Sequence, residues 1–231
     1  MLKKIIYALT LKTIPKLYWS SSHEYNLKPK IVTVLYLIFG LILFGLGETL
    51  IITANIGVSP WFVLHQGLSF ITGYTLGITT FIVSVISLLF WFPLKQKPGI
   101  ATILNAILIS IVIDLSLPFL PKPDIFLLQL FQVIFAILII GIGSGFYLAA
   151  NLGPGPRDGL MTGINKQTGL SFSLIRLVLE LSVVGLGFWL GGIIGIGTVL
   201  YAVGIGYSVS LGLFLVGKFY KQKYGARSSV G

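Results

Sequence analysis

The chain contains no cysteine and few charged residues, and these two shortages exclude several kinds of protein. Its 231 residues include six acidic and 16 basic side chains, so that only 10% of the sequence is charged. Without cysteine there are no disulfides, thiolate metal sites or thiol nucleophiles. With 55% hydrophobic residues and a mean hydropathy of +0.98, the composition excludes an ordinary soluble globule and indicates a membrane protein.

Recognisable catalytic patterns are also missing. The sequence has no Ser-His-Asp set, phosphate-binding loop, zinc pattern or paired hydrolase carboxylates. The glycine strings at 141–145 and 191–197 lack the strand and the downstream acidic partner of a dinucleotide-binding unit, and their spacing suits close helix packing instead. His65 has only His23, in the tail, as a companion, which is too few for a metal site. We therefore expect no enzymatic activity, no cofactor and no bound metal.

The net charge of +10 would suit a nucleic-acid partner, but the charges lie in tails and loops, as the positive-inside rule requires. We therefore expect the lipid bilayer, and no nucleic acid, as a partner. The basic segment 1–30 has apolar residues at roughly helical spacing. It either lies on an anionic membrane surface or remains a solvated tail that sets orientation. A second basic tail covers 218–231.

Long apolar runs predict an all-α polytopic membrane protein. A transmembrane helix needs about 20 residues to cross the hydrocarbon core. The runs that we interpret as six spans lie near 31–52, 75–94, 99–117, 126–149, 171–190 and 195–217. The stretches 53–74 and 150–170 are left between them.

An internal repeat relates the two halves of the chain. A shift of 96 residues aligns Ala54-Asn55-x-Gly57-x-x-Pro60 with Ala150-Asn151-x-Gly153-x-x-Pro156, and Thr72-Gly73 with Thr168-Gly169. Composition alone does not produce these shared elements in lipid-facing runs. We therefore predict two membrane repeats, 31–117 and 126–217.

The repeat changes the interpretation of the two remaining stretches. A helix that begins at Pro60 or Pro156 ends by Thr72-Gly73 or Thr168-Gly169, since proline favours a first helical position and glycine a position just past the end. Its length of about 18 Å is too short for about 30 Å of hydrocarbon. We expect two re-entrant half-helices.

Three full spans in each repeat require that the second repeat enters the membrane upside down. With both termini in the cytosol, nearly all basic residues fall on the inner face, and only Lys122 falls outside. The coils before Pro60 and Pro156 then place both half-helix N-termini deep in the membrane. Broken helices at the interface of inverted repeats are where secondary transporters bind substrates.

The segment Gly153-Pro154-Gly155-Pro156-Arg157-Asp158-Gly159-Leu160-Met161, preceded by Ala150-Asn151-Leu152, resembles the signature of the YczE/YyaS/YitT family of bacterial integral membrane proteins. Size, span pattern and repeat match over roughly residues 32–217. The resemblance implies a multi-pass protein of the bacterial plasma membrane. It supplies no reaction or substrate.

The candidate solute-binding residues lie in the two coils and the first turns of the half-helices. They are Asn55, Gly57, Ser59, Pro60, Asn151, Gly153, Pro156, Arg157 and Asp158. Arg157 can hold an anion at a helix end, and Asp158 can pair with it or exchange a proton, although both would also suit a wetted cytosolic loop. The two asparagine amides can bind a ligand or, alternatively, exposed backbone groups.

Three carboxylates lie within predicted spans and are candidates for proton or ion coupling: Glu48, Asp114 and Glu180. Glu48 and Asp114 also suit an interfacial position near the outer ends of their spans. Glu180 follows Arg176 by four residues and can instead form a structural ion pair.

The leading hypothesis is a secondary transporter or permease of a small organic solute, with an anionic solute as one candidate class. The alternative is a membrane accessory or regulatory protein that docks a partner through its basic N-terminal segment and glycine-rich helix faces. Assembly as a homo-oligomer stays open. The sequence does not identify the solute, the direction of movement or the coupling ion.

Overall fold

The computed structural model describes residues 14–224, with side chains through Lys218. Within those residues every regular element is an α-helix and no strand occurs, which confirms the all-α part of the predicted fold. The helices are α1 (Ile31–Ala54), α2 (Pro60–Thr72), α3 (Leu76–Leu89), α4 (Ile100–Ser116), α5 (Phe126–Ala150), α6 (Pro156–Thr168), α7 (Phe172–Trp189) and α8 (Ile196–Tyr224).

In the part of the chain that the structure describes, four helices are long and apolar enough to cross a membrane: α1, α5, α7 and the Ile196–Lys218 part of α8. Helices α2 and α3 form a pair bent by 115°, which would give a fifth span if the pair counted as one. The shorter apolar helix α4 has 17 residues. The membrane class follows from these helices, while the count of six spans stays a prediction.

The predicted span 75–94 is wrong in its length. Helix α3 has only 14 residues, and turns follow it through Lys95. Pro93 cannot continue a helix and disfavours helical geometry in the residue before it. The turns carry Trp91 into the interior, where its side chain is 2% exposed and its indole N–H donates to the Pro156 carbonyl at 2.8 Å. A contact with α6 thus replaces the last helical turn.

Helices α1 and α5 end in the same way, 96 residues apart. Each stops at an asparagine in the left-handed region, with φ of 57° at Asn55 and 53° at Asn151. A glycine with φ near 110° follows in each coil, Gly57 at 110° and Gly153 at 108°. Asparagine and glycine are the residues that adopt this region most readily. The coils then turn back and begin α2 and α6 at a proline, as the sequence predicts.

Each of these coils packs against the other half of the chain. The Gly197 amide donates to the Ile56 carbonyl at 2.8 Å, and the Ala101 amide donates to the Leu152 carbonyl at 2.9 Å. Ala101 and Gly197 are 96 residues apart, as are Ile56 and Leu152. These two equivalent hydrogen bonds place the coil of each half at the start of the last helix of the other half.

Small residues bring α1 and α5 close together at the centre of the fold. A Cβ atom at Gly40 would lie 2.6 Å from the Gly143 carbonyl oxygen, and one at Gly143 would lie 2.6 Å from the Gly40 oxygen. Such contacts let helix backbones approach closely. Helix α8 packs on α5 and α4 packs on α1, while α2 contacts α7 and α6 contacts α3.

Part of the basic N-terminal segment packs on the helices. Trp19 is 1% exposed, and its carbonyl accepts a hydrogen bond from the Thr33 hydroxyl. The Ser21 amide donates to the Ala150 carbonyl at 3.0 Å. A solvated tail is therefore the wrong description of these residues, because Trp19 is apolar enough to enter the core. The apolar positions predicted to face a membrane surface, in 2–9, lie outside the described residues.

Candidate functional site

A cavity of about 800 Å³ lies between the two halves, where the short helices α2 and α6 begin. Most of its wall is apolar, and several aromatic rings contribute to it. The charged lining residues are Glu48, Arg157, Asp158, Arg176 and Glu180, and the aromatic ones are Phe44, Trp61, Phe62, Tyr147 and Phe172. Charged groups at this depth are costly unless they line a cavity or pair with each other.

Glu48 is the most enclosed of the carboxylates, with 1% of the residue exposed. The Ser59 hydroxyl donates to its Oε2 at 2.9 Å, and the Tyr201 hydroxyl lies 3.3 Å from its Oε1. Both groups are donors, so the carboxylate is held by side chains of two other segments. Glu48 lies on α1, Ser59 caps α2, and Tyr201 lies on α8.

Arg157, the second residue of α6, lines the cavity near this group. Its guanidinium interacts electrostatically with the Tyr201 hydroxyl, with Asp158 and with the Glu48 carboxylate. The guanidinium carbon also lies 5.6 Å from the centre of the Phe44 ring, within cation–π range. The side chain keeps 30% exposure, which in this position is exposure to the cavity.

Asp158 is the least engaged carboxylate of the cavity. Its Oδ1 lies 3.9 Å from Arg157 Nε, and its side chain is 44% exposed. Around the open side of Gly155, where a Cβ would stand, lie the Tyr147 hydroxyl at 3.2 Å, Asp158 Oδ2 at 3.4 Å and Asn105 Nδ2 at 3.5 Å. Glycine at this position leaves room for the polar groups to face the cavity.

Two buried donors of the cavity wall have no hydrogen-bond partner among the described residues: the Trp61 indole N–H and the Tyr147 hydroxyl. Trp61 is 7% exposed and Tyr147 is 4% exposed. A buried donor without an acceptor costs about 1–3 kcal/mol. The Gly155 amide approaches the Tyr147 oxygen, but an amide there can only donate, so the phenolic hydrogen still lacks an acceptor.

The family comparisons agree with the membrane fold. The model of a family of unknown function (DUF6198) matches residues 31–212. An "Uncharacterized protein" of Haemophilus influenzae is 36% identical over 90% of this chain and 94% of its own length. In Bacillus subtilis, the "Uncharacterized membrane protein YczE" is 33% identical over 71% of this chain and 77% of its own. The "Uncharacterized protein YyaS" of the same organism is 30% identical over 72% and 85%.

The chain belongs to this family. The resemblance to YczE and YyaS that the sequence indicates is thus confirmed, and a membrane location follows from the relative and from the apolar helices. No solved structure matches the chain.

The structure brings some of the candidate solute-binding residues to the cavity. Pro156, Arg157 and Asp158 line it, and the fully buried Ser59 reaches it through Glu48. Pro60 begins α2 directly beside Ser59.

Ser59 and Pro60 do not themselves line the cavity, and neither do the other four candidates. Asn55 is exposed at the end of α1. The Asn151 amide donates to the Ser21 carbonyl at 2.9 Å, so it holds the N-terminal segment. A Cβ on Gly57 would lie 2.6 Å from the Gly195 amide nitrogen, and one on Gly153 would lie 2.9 Å from the Gly99 Cα, so both glycines pack against backbone.

The three candidate coupling carboxylates separate in space. Glu48 lies at the inner end of the cavity. Glu180 also lines the cavity, but it accepts a hydrogen bond from Arg176 Nε at 2.8 Å, as the spacing of four residues predicts. Asp114 lies at the end of α4 and accepts from the Thr75 hydroxyl at 2.5 Å and from the Gly77 amide at 2.7 Å. It therefore joins α4 to the first turn of α3.

Sequence reasoning missed Tyr201, Tyr147, Trp61 and Asn105, because single aromatic or amide residues in an apolar run carry no local signal. The repeat contains a partial signal. Tyr201 and Asn105 are 96 residues apart, as are Glu48 and Ser144, and all four line the cavity or contact its polar groups. His65, expected to pack, is 6% exposed, and its Nδ1 lies 3.1 Å from the Thr80 hydroxyl.

The cavity is closed on one side and bordered by separated helices on the other. Helix α3 packs on α4, and Gly77 lets the two backbones meet at Ser110. Within the described residues, α7 makes no comparable packing against α8, and the cavity wall includes the first half of α7 and the middle of α8. Ile14 also lines this open side.

Proposed function

We propose that this protein is a secondary transporter, a permease that moves a small organic solute through the cavity between its halves. The observation that carries the proposal is the charge of Arg157 at the start of α6 near the enclosed Glu48, whose carboxylate accepts from the Ser59 cap of α2, beside a cavity of about 800 Å³. Helix N-termini present free N–H groups and partial positive charge. Such broken helices form the solute sites of many transporters.

In the proposed topology the six long elements α1, α3, α4, α5, α7 and α8 cross the bilayer, and α2 and α6 are re-entrant. Helix α3 has about 21 Å and α4 about 26 Å of helical length, so the turns that follow α3 complete its crossing. The second half is inverted relative to the first, and both termini lie in the cytosol. The contacts exchanged at a shift of 96 residues support this arrangement.

The same topology assigns the open side of the cavity to the cytosol. The separated ends of α7 and α8 lie beside the N-terminal segment, since Ile14 lines the cavity there and Pro15 lies 3.4 Å from the position of a Cβ on Gly217. The closed ends of α3 and α4 then face outward. Transport would alternate between this arrangement and one in which α7 meets α8 and α3 leaves α4.

Glu48 is the candidate coupling group of this cycle. Its carboxylate is held by Ser59 and Tyr201 and faces Arg157, so a proton or an ion that neutralised Glu48 would weaken its hold on the guanidinium. A released Arg157 could then bind an anionic group of the solute. Glu48 thereby links the charge of the site to solute binding.

The topology is tested by labelling single cysteines, which this cysteine-free chain permits without background. Lys97→Cys should react from the cytosolic side and Lys122→Cys from outside, while Ser59→Cys and Arg157→Cys should react only with small permeant reagents. Labelling of Lys97→Cys from outside would overturn the inverted arrangement.

Function is tested by uptake of labelled solutes into liposomes that contain the purified protein. Glu48→Gln and Arg157→Lys should reduce uptake at least tenfold while the protein still inserts. Asp124→Asn, on an exposed loop, is the matched control. If Glu48→Gln and Arg157→Lys still complement a strain that lacks this protein, while a chain without residues 1–13 inserts but does not complement, the partner-docking alternative is supported and the transporter proposal fails.

A further inference from the structure

The cavity wall has one more negative than positive side chain, which disfavours a purely anionic solute. Three carboxylates, Glu48, Asp158 and Glu180, face two guanidinium groups, Arg157 and Arg176. Arg176 is paired with Glu180 at 2.8 Å. Arg157 is shared by two carboxylates, Asp158 at 3.9 Å and the more distant Glu48, and Asp158 accepts no hydrogen bond from the described side chains, so its charge is only partly compensated. A solute with negative charge alone would add to this excess, and one with positive charge alone would face Arg157.

The hydrogen-bond donors of the cavity wall point to a ligand with oxygen acceptors. The Trp61 N–H and the Tyr147 O–H are both more than nine-tenths buried and both lack an acceptor. They lie at the two helix starts, since Trp61 is the second residue of α2 and Tyr147 adjoins Gly155 before α6. Carboxylate oxygens are strong acceptors for such groups.

We infer that the cavity binds a zwitterionic solute, a compound with a carboxylate and an ammonium group on an apolar body, such as a neutral α-amino acid. The ammonium would lie at Asp158, and the carboxylate would bind Arg157 with the Trp61 and Tyr147 donors nearby. An α-amino acid carries both charges on one carbon, which suits neighbours such as Arg157 and Asp158. The apolar body matches a wall that includes Phe44 and Phe62.

This inference rests on the proposed function for its cavity. It replaces an anionic solute by one that has an ammonium group as well as a carboxylate. It is tested by thermal unfolding of the full chain in detergent with three families of probe. Each family is an amino acid, the acid without its amine and the amine without its acid. The families are L-alanine with propionate and ethylamine, L-leucine with isocaproate and isopentylamine, and L-phenylalanine with hydrocinnamate and phenethylamine.

At least one amino acid should raise the unfolding temperature, because a ligand of the folded state stabilises it by mass action. Its acid and its amine should bind at least tenfold more weakly. Asp158→Asn should lower the affinity for the amino acid about tenfold and leave that for the acid unchanged. Tyr147→Phe and Trp61→Phe should lower the affinity for amino acid and acid alike, since each removes one donor.

Matched controls exist on the exposed surface. Asp124→Asn, Tyr207→Phe and Trp189→Phe make the same chemical changes at residues that do not line the cavity, and Tyr207 and Trp189 are 56% and 81% exposed. They should leave every affinity unchanged. The inference is overturned if an acid or amine binds as tightly as its amino acid, or if no amino acid binds at up to about 10 mM.

The binding assay separates this inference from the proposed function. Binding of an amino acid without uptake into liposomes would refute transport and leave the solute class standing. If an acid that lacks the amino group is taken up, and it binds as tightly as the corresponding amino acid, transport is supported and the zwitterionic class is refuted.

Discussion

In the first half of the molecule, α3 packs against α4, and Asp114 joins them through Thr75 and the Gly77 amide. In the second half, α7 stands apart from α8, and the position 96 residues after Asp114 is Ser210, whose hydroxyl donates to Gly206 in its own helix. The position equivalent to Gly77 is Ser173. The two halves therefore share helix order and helix ends, but side chains at a few positions decide which half is closed.

The same contrast holds at the helix starts. Arg157 in α6 occupies the position that Trp61 occupies in α2, and Glu48 in α1 occupies the position that Ser144 occupies in α5. A duplicated backbone thus forms two equivalent sides of one cavity. Charge is placed on one member of each pair only, so that the site is asymmetric although the fold is nearly repeated.

The largest effect should come from separating the charged pair. Arg157→Met leaves the enclosed Glu48 without the positive charge near it, and a buried carboxylate left uncompensated costs about 3 kcal/mol or more. The double variant with Glu48→Gln should recover part of that loss. Thermal unfolding in detergent measures both, with Trp61→Met as the variant at the equivalent position. Equal losses in the single and double variants would show that the pair is not coupled.

A second effect concerns two equivalent contacts between a large and a small residue, in which the large residue lies at opposite positions. The Trp91 ring fills the space left by Gly159, whereas Gly187 receives the backbone at Val63, and these two contacts are 96 residues apart. Gly159→Val should cost about 3 kcal/mol through overpacking. Adding Trp91→Gly should recover part of the lost stability, because valine would then meet glycine as Val63 meets Gly187. No recovery in the double variant would mean that the two contacts are not interchangeable.

A third, smaller effect concerns which side of the cavity is closed, the α3–α4 side or the α7–α8 side. Asp114→Ala removes two hydrogen bonds, both at the start of α3, where negative charge is favourable, and should open the α3–α4 side about tenfold. The readout is labelling of Thr80→Cys from outside, with Asp124→Ala as the control. The reverse change, Ser210→Asp with Ser173→Gly, should reduce labelling of Arg176→Cys from the cytosol. Unchanged labelling in both variants would contradict the assigned closures.

The smallest effect should distinguish the two asparagines. Both have positive φ, so replacement by alanine strains each of them by about 1 kcal/mol. Asn151 also donates to Ser21, which adds about 1 kcal/mol for Asn151→Ala relative to Asn55→Ala. Unfolding temperatures report the difference, and the two glycine variants should remove the strain but keep the loss of the bond. Equal unfolding temperatures for the Asn55 and Asn151 variants would mean that the hydrogen bond to the N-terminal segment does not stabilise the fold.

Local chemistry made the two short helices predictable. Pro60 and Pro156 begin them, and Gly73 and Gly169 end them at φ of 73° and 70°, where a side chain is disfavoured. The prediction for α3 was wrong at its end because hydropathy continues through Trp91 and Phe92, while Pro93 and a contact with α6 stop the helix. Apolar residues in a turn cannot be told from those in a helix by hydropathy.

The polar partners of the site could not be predicted from the sequence. Glu48 and Arg157 were identified as unusual charges in apolar surroundings, but nothing in the chain near them indicates that Tyr201 lies between them. Their meeting depends on the return of each coil onto the other half, through Gly57 against Gly195 and Gly153 against Gly99. Contacts between residues this far apart in the sequence leave no local pattern.

By itself, the sequence determined the membrane class, the all-helical fold, the bounds of the short helices and the spacing of the repeat, because hydropathy, proline and glycine act on neighbouring residues. The tertiary structure alone decided which of the predicted polar residues share the cavity, which half is closed, and which buried donors remain without acceptors. Those properties depend on the packing of whole helices, where one glycine or one carboxylate at a crossing point determines how closely two backbones approach.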